Sequence, residues 1–232
     1  MNKICLFALL IAVASANIAT DISLIQLSRQ TLSCLSSKNV SRVILEISDD
    51  QGTINKDFLN GFIFAKDAGI STVDAIVIVN DNFTTNGLSA NVTAALPMNF
   101  NGTVWLKVLN SPNLWTHDVS RRVAYLENLV LAFKQRSVEA GIYSDANTWA
   151  SVMGSQGAGS DSLKSAPVWY VNENNVQSFD DFSYAGFGTW TKPALKNFQK
   201  NAYMCYVWVA SLDYYEAETQ FKKIDQQRFL SF

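Results

Sequence analysis

Short runs of β-branched and aliphatic residues alternate with stretches whose apolar positions recur every three or four residues through the first two-thirds of the chain. That alternation predicts parallel strands joined by crossover helices. Strands are expected at 18–22, 43–48, 72–79, 103–108 and 140–143, with later ones near 168–171, 195–198 and 212–214. A near-continuous apolar run such as Ala75-Ile76-Val77-Ile78-Val79 suits a strand buried on both faces. Between strands, Asn55 is expected to cap a helix running to Ala68, with Phe58, Leu59, Phe62 and Ile63 as its stripe and Gly69 as its stop. The longest helix is predicted over 119–139, where Val123, Leu126, Leu129, Val130 and Phe133 face the core. The Gly- and Ser-rich stretch 155–165 is expected to be a mobile loop inside one domain, because strand-like sequence resumes at Ala166. The expected fold class is α/β, an irregular TIM-like barrel of about eight strands and five helices, with its functional face where the strands end.

A chain of 232 residues, 48% of them hydrophobic, has enough apolar content for one sizeable core. Its 20 acidic and 18 basic residues leave no cationic excess to drive binding to nucleic acid or to anionic membranes, and a monomer is expected. Lys3, the apolar run from Ile4 to Val13 and the Ala14-Ser15-Ala16 triplet have the layout of a secretory signal. Residues 1–16 are therefore assigned to that signal and 17–232 to a single barrel domain of a secreted or lumenal protein. Sequons at Asn39, Asn82, Asn91 and Asn101 agree with that route and imply surface positions. Cys5 departs with the signal, which leaves Cys34 and Cys205 as a pair in an oxidising compartment, where a disulfide is expected; two unconnected buried thiols are the other reading.

Four segments, in order, carry a resemblance to a known family: Val73-Asp74-Ala75, Gly141-Ile142-Tyr143-Ser144 followed by Trp149, Pro167-Val168-Trp169-Tyr170, and Gly188-Thr189-Trp190-Thr191-Lys192-Pro193. The chain resembles the family 25 glycoside hydrolases, lysozymes that cut bacterial peptidoglycan, and especially their animal branch. The resemblance implies a barrel with a carboxylate-lined groove at the strand ends, and Cys34 and Cys205 fall where that branch places a bridge. It also implies bacterial peptidoglycan or a related glycan as partner, and no cofactor.

In that family one carboxylate comes from a Val-Asp-x-Ser start, two from an Asp-x-Glu on the fourth strand, and another from near the chain's end. The first matches Asp21 in Thr20-Asp21-Ile22-Ser23 and the last matches Asp213 in Leu212-Asp213-Tyr214. The fourth strand departs: Trp105-Leu106-Lys107-Val108-Leu109 carries Lys107 and Leu109 where relatives carry the acids. Neither residue supplies acid catalysis near neutral pH, so severe loss of hydrolysis is expected. Glu46 stands where relatives usually carry a basic residue, and the third strand ends in Val79-Asn80 without the aromatic and proline residues of animal relatives.

The same residues also have plainer readings. Asp21 and Asp213 fit turn-capping aspartates at strand-to-loop junctions. Tyr143, Trp169 and Trp190 are candidates to stack on sugar rings, or else core aromatics. Lys107 is expected to pair with Asp21, Asp213 or Glu46. His117 is expected to be a surface or capping residue. The sequence offers no His/Cys cluster for a metal, no nucleophile–histidine set and no phosphate loop. Three functions follow: a secreted lysozyme-like protein that binds cell-wall glycan, in defence, without cutting it; a weak muramidase working through Asp21 and Asp213; or a protein-interaction module.

Overall fold

The computed structural model describes residues 17–23 and 26–216. The assigned secretory signal and the segment from 217 onward lie outside the described residues. Eight strands close into one barrel in sequential order, β1 Asn17–Asp21, β2 Val40–Ser48, β3 Thr72–Ile78, β4 Thr103–Lys107, β5 Glu139–Ser144, β6 Val168–Val171, β7 Leu195–Met204 and β8 Val207–Tyr215. Strands β1 to β7 run parallel, whereas β8 is antiparallel to both β7 and β1 and closes the ring.

Six helices are present among the described residues where five were expected: α1 Arg29–Ser37, α2 Phe58–Asp67, α3 Thr85–Ala95, α4 Val119–Lys134, α5 Ala146–Met153 and α6 Phe182–Ala185. The sixth is a single turn. Local chemistry sets several ends. Ser28 Oγ accepts from Thr31 N ahead of α1, and Asp145 Oδ1 accepts from Thr148 N ahead of α5, satisfying orphan first-turn donors. Gly154, at φ 87°, ends α5 in the left-handed conformation that glycine adopts freely. Asn55 acts one step earlier than predicted: its carboxamide accepts from Asp57 N at 3.1 Å, and Asp57 occupies the N-cap of α2. In the 155–165 segment the Ser160 and Ser162 hydroxyls both donate to Glu127 of α4.

The apolar residues separate into two cores, as burial of parallel strands on both faces requires. A large outer layer fills the space between strands and helices, with Leu32, Val43, Phe58, Leu106, Leu129 and Trp149 among its members. A small inner cluster of Ala19, Ile44, Ile76, Trp105, Trp169 and Leu195 plugs the barrel itself. Gly141 is the inner residue of β5 beside Trp105, and a Cβ there would come within 2.6 Å of the indole. Glycine is what lets the ring lie across the barrel.

Strands β7 and β8 are much longer than the predicted 195–198 and 212–214. Strand β6 pairs with β7 only as far as Asn197, so the residues beyond it form a two-stranded arm past the rim. At its tip Cys205 and Tyr206 have φ of 54° and 65°, the two positive values of a tight two-residue hairpin turn. Cys205 bonds to Cys34, fastening the arm to α1 across a sequence separation of 171 residues. Closing so long a loop contributes about 5 kcal/mol in the chain-entropy model.

Candidate functional site

Residues two apart on a strand share a face, so the inner cluster fixes which side chains point into the barrel above and below it. Toward the ends of the parallel strands, the residues two beyond Ala19, Ile44, Trp105 and Leu195 are Asp21, Glu46, Lys107 and Asn197. With Tyr143 of β5 they form the mouth. Asp213 enters from β8, opposite Ala19, one layer below Asp21, which pairs with Ser211.

The mouth is built on stacked aromatics. Trp169 lies edge-on to Trp105 with ring centres 5.6 Å apart, and Tyr143 stacks on Trp169 at 4.0 Å. Trp169 has no exposed surface, and its Nε1 donates to Asp213 Oδ1 at 3.0 Å. Ser211 Oγ donates to Asp213 Oδ2 at 2.7 Å, so both oxygens of this fully buried carboxyl are engaged. Burial holds the Asp213 carboxyl well above the ordinary carboxylate range, and the neighbouring Asp21 charge adds to the rise while the two donors oppose it. Burial likewise keeps the Tyr143 phenol up and neutral, with Asp213 contributing.

Asp21 differs in kind. It is partly accessible at the mouth, yet its carboxyl is packed among protein atoms, and among the described residues no donor bonds it. Desolvation pushes it up to about 6; Lys107 opposes the shift and Glu46 adds to it. Glu46 is raised too, first by desolvation, with Lys107 opposing and Asp49 and Asp50 adding. Lys107 thus acts on both acids through space. Among the described residues Lys107 makes no ion pair within 4.0 Å, and its Nζ lies 5.3 Å from the centre of the Tyr143 ring.

Leu109 lies past the end of β4 and packs against the outer layer, while its carbonyl accepts from Trp115 Nε1 at 2.8 Å. Trp190 is not part of the mouth. It is 8% exposed, donates to Ala166 O at 2.7 Å and packs edge-on to Trp149 in the outer layer. All four sequon asparagines are exposed. His117 is half-exposed, with Nδ1 2.9 Å from Asp81 Oδ2, and that aspartate also accepts from the backbone of Thr116 and His117, tying the loop after β3 to the one after β4.

Three residues that shape the barrel interior were not singled out from the sequence for that role. Ser211 and Asn197 are revealed only by the pairing of β7 and β8, although the inward period-two positions would have pointed to them once the strands were known. Asn197 is buried, its carboxamide approaches the Tyr143 hydroxyl, and its Oδ1 has no partner in the protein. Asp74 was quoted in a motif but not recognised as the floor of the barrel. Its Oδ1 accepts from Thr103 N at 2.9 Å and its Oδ2 from Trp105 Nε1 at 2.8 Å, with Arg42 Nε 3.6 Å away.

Against known proteins, the family model described as "Lysozyme-like protein 1" matches residues 12–198. The chain is 29% identical over 176 residues to "Probable GH family 25 lysozyme 4" of Dictyostelium discoideum, covering 74% of this chain and 78% of that protein. Its fold is that of the muramidase from Acremonium alcalophilum, with a TM-score of 0.69 at 13% identity over 88% of this chain and 96% of that one. The modular autolysin LytC from Streptococcus pneumoniae, solved with a synthetic peptidoglycan ligand, gives a TM-score of 0.60 at 12% identity over 86% of this chain and 46% of LytC. A barrel closed by one antiparallel strand, the aromatic and acidic side chains at its mouth and a family match across most of the chain agree: this protein belongs to the lysozyme-like family 25 glycoside hydrolases.

Proposed function

We propose that this chain is a secreted protein that binds bacterial cell-wall glycan, in defence, and has lost the hydrolysis characteristic of its family. The observation that carries the reading is the ammonium of Lys107 at the inner end of β4, over Tyr143. Glycoside cleavage needs one group to protonate the leaving oxygen and a carboxylate to meet the developing positive charge. A cation at that strand end does neither and repels the charge that develops. Asp213 is spent on Trp169 and Ser211. Binding asks less: the partly exposed edge of Tyr143 and the partly exposed carboxylates of Asp21 and Glu46 at the rim suit a sugar's apolar faces and hydroxyls. The muramidase and the peptidoglycan-bound autolysin among the structural neighbours support cell-wall glycan as the ligand class.

Cosedimentation with insoluble peptidoglycan and clearing of a wall suspension test the two halves. The expected outcome is cosedimentation without clearing, with Tyr143→Ala weakening the affinity about tenfold.

A second reading, a weak muramidase, draws on one observation: Asp21 held up to about 6 is half protonated near that pH and able to give a proton. Clearing by the natural protein that Asp21→Asn abolishes would establish it and overturn the first.

A further inference from the structure

A cavity lies at the opposite end of the barrel from the mouth. It has a volume of about 520 Å³ and opens where α3 leads into β4 and α4 leads into β5. Asn101, the acceptor of the Asn101-Gly102-Thr103 sequon, is one of its lining residues and is exposed; the other three sequon asparagines lie outside its lining. The rest of the lining has the mixed character that a sugar needs. Leu96, Pro97 and Phe100 offer apolar faces, and Arg136 and Glu139 offer charged hydrogen-bonding groups. Glu139 is held in place by the Thr103 hydroxyl, which donates to its Oε2 at 3.1 Å, and Arg136 by its Nη1 bond to Ala132 O at 3.0 Å. Met98 stands fully exposed on the same lining. Unpartnered apolar surface beside a covalent attachment point for a polar polymer is what a docked glycan would cover.

We propose that Asn101 carries an N-linked oligosaccharide whose first sugars lie in this cavity, so that the glycan is a built part of the fold. The inference rests on the secretory route proposed above and is independent of what the mouth binds. In the transfer, Asn101 Nδ2 forms a bond to C1 of the sugar of a polyprenyl-pyrophosphate oligosaccharide donor. The bond from C1 to the pyrophosphate oxygen breaks, the lipid pyrophosphate leaves with the electron pair, and the amide gives up one proton to base. Thr103 is 6% exposed and engaged with Glu139 in the folded protein, so the sequon is readable only before β4 docks. Attachment therefore precedes closure of the barrel, and the cavity forms around a sugar already present.

The test uses the full chain secreted from a eukaryotic cell line, with glycopeptide mass spectrometry at all four sequons and native digestion by a peptide-N-glycosidase. Occupancy at Asn101 is expected, with release there several-fold slower than at Asn91 until the protein is denatured. Asn101→Gln and enzymatically trimmed wild type should both melt lower by about 2–4 °C, whereas Asn91→Gln melts with wild type. Phe100→Ala and, separately, Arg136→Ala should speed native release at Asn101. An unmodified Asn101 beside occupied sequons elsewhere overturns the proposal and leaves secretion standing; so does release as fast as at Asn91, or a trimmed protein that melts unchanged. Cosedimentation of Asn101→Gln with peptidoglycan should be unaltered, which keeps this result separate from the function of the mouth.

Discussion

Two aspartates at opposite ends of the barrel interior, the buried Asp74 and the partly accessible Asp21, are treated in opposite ways. At the floor, Asp74 is fully buried and each oxygen has an assigned donor, from Thr103 N and Trp105 Nε1, with Arg42 nearby. At the mouth, Asp21 is desolvated without a donor among the described residues and feels Lys107 and Glu46 only through space. Burial raises both carboxyls, and at the floor Arg42, Trp105 and Thr103 act against the rise. A buried acid whose lone pairs are filled by its own protein serves the fold. One that is desolvated and left unfilled costs stability at neutral pH and marks a candidate functional site.

Breaking the floor gives the largest effect. Asp74→Ala leaves the indole N–H, the Thr103 amide and the Arg42 guanidinium without their acceptor, and removing one partner of such a set costs about 3–5 kcal/mol. Urea unfolding at pH 7 should show that loss with an unchanged m-value. A variant within 1 kcal/mol of wild type would mean that water fills the gap and the floor is not a closed network.

How much of this contrast was legible in the sequence depends on which end is considered. Of the mouth's residues, Asp21 and Lys107 end strands marked by apolar runs, Glu46 lies near the end of another and Asp213 lies within β8, and the motif pattern had singled out all four. The floor was not legible, because Asp74, Arg42 and Trp105 sit on three strands and meet only once the barrel closes. The same holds for the fully buried Lys196, whose Nζ lies 2.8 Å from Asp181; tertiary closure alone brings that pair together. The arm of β7 and β8 was missed for a different reason. Its alternation of Tyr203 and Trp208 outward with Ala202 and Val209 inward is a strand signal, but exposed aromatics and Lys200-Asn201 broke the apolar run used to place the strands. Helix α1 carries only Leu32 and Leu35 as buried aliphatics, too few to mark a stripe.

Neutralising the mouth sharpens the contrast with a smaller effect of opposite sign. The folded pKa of Asp21, about 6, lies above its ordinary value of 3.8, so the folded state holds the proton more tightly. That stability is fully present below the ordinary value and is lost as pH rises through about 6. Asp21→Asn should therefore unfold like wild type near pH 3.5 and be more stable at pH 8, by about 1–3 kcal/mol once partial solvent access is allowed for. Unfolding free energies measured from pH 3.5 to 8 check this. Parallel curves for wild type and variant would mean that Asp21 is solvated after all.

The smallest effect isolates Lys107. Its charge lowers Asp21 and Glu46, and it is not among the charges acting on Asp74, whose cationic neighbours are Arg42 and Lys66. Lys107→Met should raise the titration midpoints of Asp21 and Glu46 and leave Asp74 where it is, followed by carboxyl-carbon NMR from pH 3 to 8. The split matters more than the size of the shift. A movement confined to the two mouth acids means that the ammonium favours their charged forms, in which a glycan's hydroxyls would find acceptors. Equal movement at both ends would mean that the side chain reaches down the barrel and that the division between a binding mouth and a structural floor is wrong.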